Sequence, residues 1–187
     1  MFGTAGNARE GHRKARVMSI SARFFGAAVV AVLLSAPLSL RVASASAVPP
    51  CTAKQLTIAD VGTHTVGNRA VTKIDIVNNS ATTCSISGYP RLEFQRFSGA
   101  IAPVNRTQTA SDANYKTPGP STVSVASLGH ANFLLGYPRV DAHSNTCAPI
   151  STIIVGGFAG GGTLKLPDSI APCTSVNVSP FFVPEAK

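Results

Sequence analysis

The 187 residues contain no tryptophan, no Cys-x-x-Cys pair, no Gly-x-Ser-x-Gly elbow and no long stretch of helical periodicity. Each absence narrows the possibilities. Aromatic side chains amount to 6% of the chain, and no Lys/Arg stripe is interleaved with them, so the stacking-plus-phosphate chemistry of a nucleic-acid surface has no carrier. Without the elbow, the context that exposes a nucleophilic serine is missing. Beyond residue 47 the only glutamates are Glu93 and Glu185, a poor basis for the paired carboxylates of glycoside hydrolysis.

The formal charge of +8 points at first to an anionic partner. Six of the sixteen Lys and Arg lie before residue 48, however, and the remainder holds ten basic against seven acidic side chains, placed singly. Most of the basic character therefore belongs to the N-terminal segment. There, Arg13, Lys14, Arg16 and Arg23 precede the apolar run Phe24 to Leu40, which ends in Ala45-Ser46-Ala47. A charged region, an apolar region and a small-x-small exit make up a secretory signal peptide. Residues 1–47 are expected to be that signal, cleaved after Ala47, with Met18 as an alternative start. Pro37 within the run and Arg41 after it argue against a retained anchor, and Pro50 directly before Cys51 argues against a lipidated cysteine. No second apolar run of spanning length follows, so no transmembrane segment is expected in the mature form.

Past Ala47 the chain is expected to comprise a short linker (48–50), one domain (51–183) and a tail (184–187), within the roughly 100–200 residues usual for a domain. Its four cysteines, Cys51, Cys84, Cys147 and Cys173, are an even number in a chain read as exported, which implies two disulfides. Three connectivities are possible. Sequential pairing, Cys51–Cys84 with Cys147–Cys173, is favoured because it closes each end of the domain separately. Asp141-x-His143-x-x-x-Cys147 is the nearest approach to a metal motif; paired ligands are absent, so neither metal nor cofactor is expected.

The apolar pattern has period two. Thr72, Ile74 and Ile76 share one face of a strand, with Ile74 and Ile76 directed at the core, and Leu92/Phe94 alternate with Glu93/Gln95 before a Ser98-Gly99 turn. Further strands are expected at 55–59, 84–86, 100–104, 123–125, 131–135, 152–155, 163–166 and 175–183. Gly62 and Gly67-Asn68 are read as turns, and 105–120 as an irregular polar loop. Short strands with turns every 8 to 12 residues specify an all-β protein, an antiparallel sandwich or barrel.

Several segments resemble one family. Cys51-Thr52-Ala53-Lys54-Gln55-Leu56, the strand ending Asn78-Asn79-Ser80, Cys84-Ser85-Ile86-Ser87-Gly88-Tyr89-Pro90, and Cys173 followed by Val176-Asn177-Val178-Ser179-Pro180-Phe181 are similar to the DUF4232 domain of secreted actinobacterial proteins. The resemblance implies an immunoglobulin-like β-sandwich of about 7–9 strands and export, and transfers no functional residue. One departure stands out: where the family pattern suggests a Trp before the third cysteine, this chain has Leu135-Gly136-Tyr137-Pro138.

Gly88-Tyr89-Pro90-Arg91 recurs as Gly136-Tyr137-Pro138-Arg139. If the two are matched turns, Tyr89, Arg91, Tyr137 and Arg139 form a candidate contact surface, since Tyr and Arg are enriched at binding interfaces. The end loops 106–121 and 139–149 are a second candidate. The tract Gly156 to Gly162 is read as a hairpin loop, because phosphate cradles open helices and none follows. These features together suggest a secreted or envelope-associated non-catalytic domain binding a protein or cell-wall component. The rival reading is a secreted hydrolase using His143 and Asp141, which requires His143 to reach a serine or carboxylate inside a concave pocket.

Overall fold

A computed structural model describes residues 47–184; the expected signal segment, apart from Ala47, lies outside them. Twelve strands follow a single 3-10 turn: β1 (Leu56–Val66), β2 (Arg69–Asn78), β3 (Cys84–Ser87), β4 (Arg91–Gln95), β5 (Asn105–Gln108), β6 (Ser111–Asp112), β7 (Tyr115–Lys116), β8 (Thr122–Val125), β9 (His130–Pro138), β10 (Thr152–Gly156), β11 (Leu164–Pro167) and β12 (Ser175–Val178). One sheet runs β1-β2-β9-β12-β5 and another β11-β10-β4, with two-stranded ribbons β3-β8 and β6-β7.

The period-two pattern explains how these sheets share a core. On β2, Thr72, Ile74 and Ile76 are buried inward, and on β9 Ala131, Phe133, Leu135 and Tyr137 continue the same face. The second sheet supplies Leu92, Phe94, Ile153, Val155 and Leu166, while β3-β8 adds Cys84, Ile86, Val123 and Val125 to the same cluster. Phe181 meets Phe133 edge-on at 5.8 Å between ring centroids and stacks on Phe158 at 6.2 Å. Such pairs add roughly 0.5–1.5 kcal/mol to the burial itself. Both disulfides have the sequential pairing: Cys51–Cys84 and Cys147–Cys173.

The all-β sandwich expected from the sequence is the architecture found, and among its named strands one pair departs from the antiparallel pattern. Strand β5 pairs with β12 in parallel, Val176 opposite Arg106 and Val178 opposite Gln108. The stretch read as an irregular loop, 105–120, therefore holds a sheet strand and the β6-β7 hairpin. Gly62 is no turn either: β1 runs through it with a bulge between Asp60 and Gly62, where the Gly62 N–H donates to Asp60 Oδ1 at 2.7 Å. A positive φ of 129° at Gly62 gives the bulge its glycine requirement. β12 ends at Val178, short of the expected 183, because Pro180 interrupts the ladder.

Candidate functional site

The two Gly-Tyr-Pro-Arg sequences do not form matched turns. Gly136, Tyr137 and Pro138 belong to β9, and Tyr137 points inward, 3% exposed, its hydroxyl hydrogen-bonded to Thr72 Oγ1 at 3.1 Å. Burial raises its pKa above the ordinary phenol value. Arg139 is exposed beside the tip of the β1-β2 hairpin, its backbone N–H donating to Asn68 O at 2.8 Å. Gly88, in contrast, has φ +73° and turns the chain between β3 and β4, leaving Tyr89 half-buried and Arg91 exposed.

Tyr89 and Arg91 line a groove of about 1070 Å³ together with Glu93, Arg106, Gln108 and Ile154. Its origin lies in the phase of β5. Arg106 and Gln108 stand opposite the fully buried Val176 and Val178, on the face of the sheet that elsewhere forms the core, yet both are exposed. The sequence places an arginine and a glutamine where an apolar pair would seal the sandwich. The groove opens along the flank where β5 and β4 both contribute to its lining.

Arg106 spans the groove, one guanidinium N–H donating to the carbonyl of Leu92 on β4. On the same strand the Phe94 carbonyl receives the Ala102 N–H at 2.7 Å, and Pro90 has no N–H to offer. Two acceptors on the free edge of β4, Leu92 O and Phe94 O, are thus taken, which makes that edge a poorer template for another strand. The far wall is the β10–β11 loop. Its glycines serve close packing: a β-carbon on Gly160 would lie 2.7 Å from the Cys51 carbonyl oxygen, and one on Gly162 2.8 Å from Ala53 Cβ. The loop read from sequence as a plain hairpin connection is pinned to the N-terminal end of the domain, Ala53 N–H donating to Gly161 O at 3.0 Å.

The Asp141–Cys147 loop is built differently. Asp141 Oδ1 accepts the backbone N–H groups of His143 at 2.8 Å and Asn145 at 2.9 Å, and the Asn145 N–H leads the contacts holding its carboxyl below the usual range. His143 is exposed, its ring makes no hydrogen bond among the described residues, and Cys147 is committed to its disulfide. The loop's carboxylate orders its own backbone. It does not orient the histidine.

Sequence reasoning missed a third cluster, on the outer face of the larger sheet. Asp112, at the tip of the β6-β7 hairpin, accepts from Arg69 Nη2 at 2.9 Å on β2, from Asn177 Nδ2 at 3.1 Å on β12 and from the Asn114 N–H at 2.6 Å. Burial works to raise its pKa, but these donors outweigh it and hold the carboxyl below its ordinary value. Burial, reinforced by the Asp112 charge, pushes the neighbouring Tyr115 phenol well up. A separate His–Asp contact, His130 Nδ1 at 2.7 Å from Asp75 Oδ2, lies on the same outer face. No local motif announces either cluster, because the partners meet only through strand pairing.

A family model described as a domain of unknown function (DUF4232) matches residues 51–182. The chain belongs to the DUF4232 family. The match spans both disulfides and the groove, and the DUF4232 description assigns no activity and no functional residue. No curated protein and no solved structure matches the chain. Among the described residues no helix is long and apolar enough to cross a membrane.

Proposed function

We propose that this DUF4232 domain works outside the cytoplasm as a non-catalytic binding module, with the flank groove as its ligand surface and a protein or cell-wall component as its partner. The observation that carries the reading is the groove itself. It gathers an aromatic, two arginines, a glutamine and a carboxylate from elements far apart in sequence, and concave sites with a few convergent polar groups are where ligands bind. Two disulfides and the signal-like residues 1–47 support placement in an oxidising compartment. The hydrolase reading built on His143 and Asp141 draws no support from the geometry of their loop.

The test is capture from a native cell-wall and surface-protein preparation, using the oxidised protein as bait. Tyr89→Ala and Arg91→Ala are expected to lose the captured component, whereas replacement of 139–149 by a Ser/Gly linker that retains Cys147 is expected to keep it. Equal capture by the groove variants and the unaltered protein refutes the reading.

A further inference from the structure

The two arginines that line the groove come from different sheets: Arg91 from β4 and Arg106 from β5. Among the described residues Glu93 is the groove's only carboxylate, so the ligand surface carries a net positive charge while still offering an acceptor. Gln108 and the Tyr89 hydroxyl supply groups that both donate and accept. We propose that the groove binds a saccharide chain bearing carboxylate groups, a deepening that rests on the binding-module reading above.

Three observations favour this chemistry. A carboxylate accepts paired N–H groups from a guanidinium fork, and bonds of this charge-assisted kind are about twice as strong as neutral ones. The mixture of Gln108, Glu93 and Tyr89 suits the alternating donors and acceptors of sugar hydroxyls, whereas a ligand of anionic groups alone would leave Glu93 facing like charge. Finally, two of the main-chain acceptors that an extended peptide would use on the edge of β4 are already taken, Leu92 O by Arg106 and Phe94 O by the Ala102 N–H. The volume, about 1070 Å³, lies just above the usual range for small-molecule sites, room enough for several sugar rings.

The experiment is calorimetric titration of the oxidised full chain with three probes: oligogalacturonate, the same oligomer with its carboxylates methyl-esterified, and poly-L-glutamate. The first is expected to bind, with affinity falling about tenfold or more on esterification and in Arg91→Ala. Poly-L-glutamate, a carboxylate chain without sugar, is expected not to compete. Arg106 bridges the sheets, so its loss can disturb folding; Arg91 is exposed and its variant serves as the decisive one, with an unchanged thermal melt as the control. Arg106→Lys, keeping the charge without the fork, is expected to bind more weakly than the unaltered protein.

Equal binding of the esterified oligomer, equal binding of poly-L-glutamate, or an unaffected Arg91→Ala overturns the proposal. If oligogalacturonate fails to bind while Arg91→Ala still abolishes capture of native wall material, the ligand class falls and the binding-module reading survives. If Arg91→Ala leaves capture intact, both fall.

Discussion

The Asp112 carboxylate occupies the space in which a side chain at position 136 would stand. A β-carbon built on Gly136 would overlap its Oδ2 and would lie 2.9 Å from Tyr115 Cε1. The β6-β7 hairpin is therefore laid directly on the backbone of β9, and Gly136 is the gap that admits it. Its backbone is an ordinary strand, so the requirement is spatial and owes nothing to a positive φ.

Gly136→Ala is accordingly expected to lift the hairpin and to cost about 1–3 kcal/mol, the usual range for overpacking a close contact. Urea denaturation measures the loss. Hydrogen exchange at 111–117 should accelerate while exchange at Ile74 and Phe133 follows only the global change.

Asp112 also gives the domain a defined acid response. Its folded-state pKa is depressed below 3.8, so its contribution is fully present above the unfolded value and is lost as pH falls through the folded one. Asp112→Asn should be less stable at pH 7, by about 1–3 kcal/mol for bonds to a charged group. The gap to the unaltered protein should stay constant above about pH 4 and narrow as pH falls below it. Thermal melts across that range check it, and a constant gap would remove the electrostatic explanation.

The two disulfides should differ in reactivity. Cys51 and Cys84 are both 0% exposed, whereas Cys147 and Cys173 are partly open to solvent. Thiol–disulfide exchange needs access to a sulfur, so limited reductant under native conditions should open Cys147–Cys173 first, as read by alkylation and mass spectrometry. The bridges close 33 and 26 residues, and replacing either pair by alanine is expected to cost about 3–4 kcal/mol on the chain-entropy account.

Asn78 is fully buried, and its side chain makes four hydrogen bonds: Nδ2 donates to Thr82 O at 2.8 Å and Val125 O at 3.0 Å, while Oδ1 accepts from Ser80 N at 3.0 Å and Ser80 Oγ at 2.7 Å. It ties the end of β2 to β8 and shapes the turn that delivers Cys84. Asn78→Ala leaves the buried Val125 carbonyl without its partner and removes three further bonds to the turn, and should lower stability by about 1–3 kcal/mol, measured by denaturant titration. The same burial makes Asn78-Asn79-Ser80 a poor glycan acceptor in the folded protein despite its sequon.

Local pattern proved informative where structure is set by neighbours in sequence. The alternation of β2, the Asn78-Asn79-Ser80 ending and the disulfide pairing could all be read from the chain, because each rests on side-chain phase or short-loop closure. The groove was half visible: Tyr89 and Arg91 were singled out, but their supposed counterparts Tyr137 and Arg139 lie elsewhere. A four-residue echo carries no phase information, and Tyr137 falls on the inward phase of a strand whereas Tyr89 follows a left-handed glycine. Arg106 and Gln108 looked like loop residues, since the partner that makes β5 a strand lies about seventy positions away. Asp112 escaped notice for the same reason: its donors sit on β2 and β12.

The placement of β12 bears on how the chain can assemble. Its four residues lie between β9 and β5, an interior position in the larger sheet supplied by one of the last-made segments of the domain. During synthesis β1, β2 and β9 can pair as they emerge, but β5 has no seat until Ser175–Val178 arrives. Non-local pairing of this kind delays completion and leaves unpaired edges exposed in the interim. A chain interrupted before residue 175 loses the keystone of the larger sheet, and with it both β5 and the groove that β5 frames.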